Sequence, residues 1–196
     1  VLGASVSPSD YSDDGEFCYI SMATIKNWKF YLESASTVSK EYSDSKQAKT
    51  VRKNDIILAR SGEGTIGKVA LIDDDELQGV FADFTMRIRL KDYNPEFAYY
   101  YFRTTYFQYL IEIYKKGLGN NTNIFPIVVR EFPILDISLE EQQRIVDKIH
   151  AAIVRLFEKQ NGIEPTAPSI RIINLSLGDP VRQLATLMSP LARLID

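Results

Sequence analysis

Apolar residues in this chain come in two rhythms. Up to about residue 90 they fall in short runs: Phe17-Cys-Tyr-Ile-Ser21, Ile25-Lys-Asn-Trp-Lys-Phe30, Ile56-Ile-Leu-Ala59, Val69-Ala-Leu-Ile72 and Phe84-Thr-Met-Arg-Ile-Arg-Leu90. Runs of that length between turn residues predict strands. Within Ile25–Phe30 a turn precedes the strand, with Asn27 suited to a left-handed conformation. The last run alternates strictly, placing Met86, Ile88 and Leu90 on one face and Thr85, Arg87 and Arg89 on the other. Residues 1–16, rich in Ser, Asp and Gly, read as a loop, and 34–50 as a loop with one short helix.

Beyond residue 93 the period becomes helical. Asn94 as cap, Pro95 at the first helical position, Glu96 near the positive end and Gly117 after Lys115-Lys116 predict one helix between Asn94 and Gly117. Phe97, Tyr101, Leu110 and Ile113 are its expected inward positions, and its surplus aromatic residues wrap more than one face, which calls for cover by other elements. Ser138-Leu-Glu-Glu141 is a capping box, starting a helix that runs to about Gln160, before Gly162. Along it Ile145, Ile149, Ala152 and Leu156 keep the 4-3-4 spacing of a coiled-coil seam, widened by Val146, Ile153 and Phe157. That stripe must be buried, against a partner helix or against its own domain. Strands first and helices after give an α+β class.

Two loops carry candidate chemistry. Gly62, Gly64 and Gly67 make a G-x-G-x-x-G match, but the pyrophosphate-binding form of that pattern needs a helix to open at its third glycine. Here Lys68-Val-Ala-Leu-Ile72 follows, so the chain reads strand, glycine loop, strand, and no nucleotide cofactor is expected. Arg60, Ser61, Thr65 and Lys68 supply donors of the kind that hold phosphates and base edges, around Gly62 and Gly64, which let the backbone come close to a ligand; the alternative is an ordinary hairpin tip in water. Lys115, Lys116, Asn120, Asn121, Thr122 and Asn123 form a second polar stretch, with amides fit to pair with adenine and lysines fit to hold phosphate, or simply good turn chemistry. Arg87 and Arg89 can address one phosphate run or guanine edge, or be paired with Asp83 and Asp92. Trp28 can stack on a base or pack in the core. His150 has no nucleophile motif around it.

Two of these segments resemble a known family. Ile57-Leu-Ala-Arg-Ser-Gly with Ile66-Gly-Lys-Val-Ala-Leu-Ile72 is similar to the hairpin in target recognition domains of specificity subunits of type I restriction-modification enzymes. Ser138-Leu-Glu-Glu-Gln-Gln-Arg-Ile-Val-Asp-Lys-Ile149 resembles the start of that family's conserved helix. The resemblance implies a recognition domain over 1–137 with a twisted, mostly antiparallel sheet and packed helices, then a coiled-coil type spacer or dimerisation helix over 138–161, then a linker and tail over 162–196. It implies sequence-specific binding of double-stranded DNA with no chemistry of the chain's own. Methylation and cleavage would fall to modification (methyltransferase) and restriction subunits, which would hold any S-adenosylmethionine, ATP and Mg. The helix would join a second recognition domain or a second copy. A rival reading makes that helix the whole function, as a protein-interaction or assembly module without DNA readout. Within the tail, Ile170-Arg-Ile-Ile-Asn-Leu-Ser-Leu-Gly-Asp-Pro180 resembles a segment of subtilisin-like proteases, without that family's catalytic motifs, so no protease activity is expected.

Composition narrows the setting. With 45% apolar and 25% charged residues the chain is an ordinary globular one, and no run approaches the ~18 apolar residues of a membrane span. One cysteine and one histidine exclude an internal disulfide and the usual structural zinc site, and suggest the cytoplasm; Cys18 reads as a small buried apolar residue. The first residues lack a secretion signal, and the start at Val1 suits a fragment or trimmed product. Net charge is −3, but basic residues gather between Lys40 and Lys68 while acids cluster at Asp73–Glu76, so one basic face remains open to a nucleic acid.

Overall fold

The computed structural model describes residues 1–157, Glu16 excepted; the side chains of Asn120 and of residues 154–157, Leu156 and Phe157 among them, and residues 158–196, which include the expected end of the helix and the linker and tail, lie outside the described residues. The strands are β1 (Phe17–Ile20), β2 (Ile25–Lys26), β3 (Lys29–Phe30), β4 (Ser36–Val38), β5 (Ile56–Ala59), β6 (Val69–Leu71), β7 (Gly79–Phe81) and β8 (Thr85–Ile88). The helices are α1 (Lys40–Ser45), α2 (Pro95–Phe102), α3 (Thr105–Tyr114), α4 (Pro126–Val129) and α5 (Leu139–Phe157). The class is α+β, as expected. Instead of one sheet there are two of three strands, β6-β5-β8 and β4-β1-β7, plus the β2-β3 hairpin. Every named pairing is antiparallel except β1 with β7.

β5 organises the layers. Its side chains are buried on both faces, so it reads as a continuous apolar run rather than an alternation. Ile56 and Leu58 pack toward the helices with Val69, Met86, Phe97, Tyr101, Phe107 and Ile111. Ile57 and Ala59 face Ile20 and Phe81 of the other sheet and Ile25 of the hairpin. A third cluster, Tyr19, Val38, Tyr42 and Val80, lies beyond that second sheet under α1. Cys18 is half-buried in β1, and burial pushes its thiol pKa up, away from nucleophile chemistry.

Several expectations need correction. Val1–Ala4 is not a free loop: Val1 and Arg87 exchange backbone hydrogen bonds of 2.9 Å, and Gly3 N–H donates to Thr85 O, so this segment covers the outer edge of β8. Ser36–Val38 is an additional strand, and its polar start hid it. At the Asn27-Trp28 turn both residues take positive φ, 50° and 63°, as a two-residue hairpin requires. A tryptophan there is costly, and its carbonyl is held by the Tyr99 hydroxyl while Arg103 stacks over its ring.

The single helix expected between Asn94 and Gly117 is two. Asn94 caps α2 by accepting from Phe97 N–H at 3.0 Å, but Thr104 caps a new helix by accepting from Phe107 N–H at 3.3 Å. The break resets the phase, so Phe107 and Ile111 point inward while Leu110 is half-buried and Ile113 is 52% exposed.

α5 starts at the expected cap. Ser138 Oγ accepts from Glu141 N–H at 3.2 Å, giving half of the capping box, while the Glu141 carboxylate pairs with Arg144 instead of reaching back. Ile145, Val146 and Ile149 are buried in the same core as Phe97 and Tyr101. Gln142 is buried too, its carbonyl accepting from Asn94 N–H at 2.8 Å and its amide donating to Ile137 O at 2.9 Å. The seam is therefore occupied by its own domain at Ile145 and Ile149; Ala152 is half-buried. His150 sits at the surface, Nε2 3.1 Å from the Tyr100 hydroxyl.

Candidate nucleic-acid interface

β5 and β6 pair antiparallel with Ile56 opposite Leu71 and Leu58 opposite Val69, which leaves Arg60–Lys68 as the connecting loop. Its three glycines all take positive φ: Gly62 at 85°, Gly64 at 77° and Gly67 at 85°. No helix opens after them, and the chain runs strand, glycine loop, strand as expected. Gly67 is also pressed against α3, where an added Cβ would lie 2.7 Å from Gln108 Oε1. Gly64 stands in open space.

The second polar loop closes on itself. Lys116 N–H donates to Asn123 O at 2.8 Å and Asn123 N–H to Lys116 O at 2.7 Å, so residues 117–122 form a pinched loop. Gly117 takes φ 104° with its α-carbon against Asn121 O, where a Cβ would fall 2.4 Å from that oxygen; only glycine fits.

The two loops are one construction. Gly62 N–H donates to Thr122 O at 3.1 Å, Ser61 Oγ donates to the same oxygen at 3.1 Å, and Ile124 N–H donates to Arg60 O at 2.8 Å. At the tips, a Cβ on Gly119 would meet the Glu63 carboxylate at 3.9 Å. Arg60 sits at the junction, its Nε–H donating to Asp83 O at 2.7 Å and its Nη1 to Asn123 Oδ1 at 3.2 Å. The rings of Phe84 and Phe125 flank it, with guanidinium-to-centroid distances of 5.9 and 5.8 Å. Of the five N–H donors of an arginine these two are used, and the other three, one on Nη1 and two on Nη2, remain on a half-buried, fixed head.

Other predicted contact residues divide sharply. Ser61 and Thr122 are 4% and 3% exposed and spend their hydroxyls on backbone, as does the half-buried Thr65, which donates to Ser61 O at 2.8 Å. These three build the loops and do not reach outward. Asn123 likewise holds Arg60 and donates to Asn121 O at 2.7 Å. Lys115 pairs with Glu112. Lys68, Lys116 and Asn121 have no side-chain partner among the described residues.

Arg87 and Arg89 are not part of this cluster. They stand across from Ile57 and one rung beyond Ile56, roughly 10 Å or more along the ladder from Arg60 at about 3.3 Å per residue. Arg89 makes a two-pronged pair with Asp55, Nε to Oδ1 and Nη2 to Oδ2, both 2.7 Å, and those hydrogen bonds raise its pKa. Arg87 is half-buried over the Phe81 ring and donates to Thr50 O. Burial and the neighbouring Arg89 lower its pKa. The expected exposed arginine face is thus replaced by a structural pair, with Asp55 as the partner in place of Asp83 or Asp92. The basic stretch 40–68 is also divided, with Lys53 paired to Asp75 at 2.6 Å and Lys49 donating to Leu2 O at 2.6 Å. Trp28 packs against the core and under Arg103. Sequence reasoning missed Phe84, Phe125 and the Asp83 carbonyl, because contacts across that many residues leave no local signal.

Among the described residues no group of three or more His, Cys, Asp or Glu side chains is placed to hold a metal ion, and no helix is long and apolar enough to cross a membrane.

Known proteins match this architecture. Among solved structures, the chain resembles one from work on complex assembly and conformational transition of the type I R-M system (16% identity, TM-score 0.57), over 80% of this chain and 36% of that one. It also resembles the type I restriction-modification S subunit from M. genitalium (19%, TM-score 0.51; 80% and 36%) and the HsdS subunit from Thermoanaerobacter tengcongensis (19%, TM-score 0.54; 79% and 40%). At such identities the likeness is one of fold, and the chain spans between 36% and 40% of the length of these structures. No curated protein is a significant match. The model of the type I restriction modification DNA specificity domain matches residues 3–164. With most of its length inside that match, the chain belongs to the family of type I restriction-modification DNA specificity domains.

Proposed function

We propose that this chain reads one half of a split double-stranded DNA target as a specificity subunit, or half of one, and presents it to separate modification and restriction subunits. The observation that carries this reading is the joining of the two loops around Arg60, whose head is fixed by Asp83 O and Asn123 and still has donors to offer. A guanidinium held that way loses little freedom on meeting a guanine edge, and Asn121, exposed on the joined loop with its carbonyl bonded to Asn123, offers an amide of the kind that pairs with adenine. Lys68 and Lys116 supply sequence-independent grip on phosphates. The chain performs no chemistry on this account; S-adenosylmethionine, ATP and Mg belong to its partners, and the setting is cytoplasmic.

Residues 1–137 together with the first turns of α5 form the reader. The rest of α5 starts the spacer toward a second recognition domain or a second copy. The rival reading, a pure interaction helix, is weakened by Ile145 and Ile149, which its own core already covers.

Selection of bound duplexes from a random pool, with and without the modification subunit, tests the reading. Enrichment of one half-site is expected, with affinity falling steeply as salt rises. Lys68→Ala should weaken all duplexes alike and lower the salt slope by about one. No enrichment at low salt with the partner subunit present overturns it.

A further inference from the structure

Leu118 is the most exposed large apolar side chain among the described residues, at 89%. An exposed leucine by itself says nothing. What distinguishes this one is the rigidity of its support. Gly117 and Gly119, at φ 104° and 54°, bracket it in conformations that other residues adopt reluctantly. The loop beneath is closed by the paired Lys116–Asn123 hydrogen bonds, by Asn121 N–H donating to Leu118 O at 3.2 Å, and by Thr122 N–H donating to Gly119 O at 3.1 Å. Thr122, almost fully buried, is clamped by Ser61 and Gly62 of the neighbouring loop. The chain therefore commits two left-handed glycines and a set of buried hydrogen bonds to holding an apolar side chain out in water.

The charges around it are mixed: Lys115 is paired with Glu112, Arg130 lines the pocket beside Val1 and Arg87, and the Glu63 carboxylate of the neighbouring loop lies near Gly119, which leaves Lys116 and Arg60 to meet a polyanion. Lys116 directly precedes Gly117 and is exposed, and Arg60 sits at the base of the same loop pair. An apolar side chain on a rigid, cation-bordered protrusion is how proteins wedge between base steps, partly unstacking them. Resting on the reading above that this loop pair meets DNA, we infer that Leu118 is such a wedge, inserted at a base step next to the bases that Arg60 and Asn121 address. It thereby favours targets with an easily unstacked step at that position, as pyrimidine–purine steps are.

The test uses the full chain, with its partner subunit if binding needs one, and a selected duplex carrying 2-aminopurine in place of adenine at successive positions. Wild-type protein is expected to brighten the fluorophore at one step only. Leu118→Ser should abolish that rise, weaken target binding roughly tenfold, and melt like wild type because the side chain touches little. Leu118→Met should restore both. Wild-type binding without brightening at any step overturns the wedge, as does Leu118→Ser with unchanged affinity and unchanged brightening. Unchanged DNA binding with loss of a protein partner also overturns it and assigns the leucine to that partner. Failure of wild-type protein to bind any duplex is a different result, which removes the DNA reading itself and the wedge with it.

Discussion

Removing Arg89 separates a structural arginine from a DNA-contacting one. The Asp55 side chain is 1% exposed and accepts two bonds of 2.7 Å from Arg89, with Arg52 N–H giving a third at 2.9 Å. In Arg89→Ala the carboxylate stays buried with one amide for company. Breaking a buried pair costs about 3–5 kcal/mol. Because the Arg89 side chain is itself 33% exposed, solvent screening lowers that to about 2–4 kcal/mol. For a domain of this size each kcal/mol moves Tm by roughly 2–4 °C, so the melt should fall by about 5–15 °C. Asp55→Ala combined with Arg89→Ala should recover part of the loss, since no unpaired charge remains. Thermal melts of the single and double variants, with DNA binding measured below the transition, are the assay. The salt slope of binding should not change. An Arg89→Ala protein that melts like wild type but loses about one unit of salt slope would refute the reasoning and return Arg89 to the DNA-binding face.

Glycine substitutions should rank by geometry rather than by position in a motif. Gly64→Ala, with open space at φ 77°, should cost about 1 kcal/mol in a denaturant melt, whereas Gly117→Ala, facing Asn121 O, should cost at least about 3. Tyr101 is buried, donates its hydroxyl to Pro133 O, and has its pKa pushed up to about 12 by burial, against 10.0 for the free phenol. The native state keeps this proton where the unfolded chain loses it, so the stability contributed is full below pH 10 and is lost as pH rises from 10 to 12. Tyr101→Phe should flatten that decline by up to about 2.5 kcal/mol in melts across the range. Truncation after residue 137 should abolish cooperative melting, because Ile145, Val146 and Ile149 leave the core with it, while truncation after residue 153 should preserve it.

What was legible in the sequence was local. The β5–β6 hairpin, its left-handed glycines and the Asn94 cap follow from turn and cap chemistry within a few residues. Thr104, a good cap, was also in plain view, but continuous aromatic periodicity masked the break before it. Periodicity also marked the α5 stripe as buried, yet a stripe is silent on what covers it, and Ile149 proved to belong to its own domain. Arg89 with Asp55, Ser61 with Thr122 and Arg60 with Asn123 join residues 34 to 63 positions apart. No spacing rule reports such pairs, so donors that looked free were found already engaged.

Arg60→Lys tests the central claim most directly. The substitution keeps the charge and removes the planar fork, so binding of the selected half-site and of every single-base variant of it should be compared with wild type at one salt concentration. The account predicts about a 10- to 100-fold loss on the selected half-site, relaxed discrimination at one base pair, and little change on unrelated duplexes. Equal weakening on all duplexes, or none on any, in a protein that melts like wild type would contradict it.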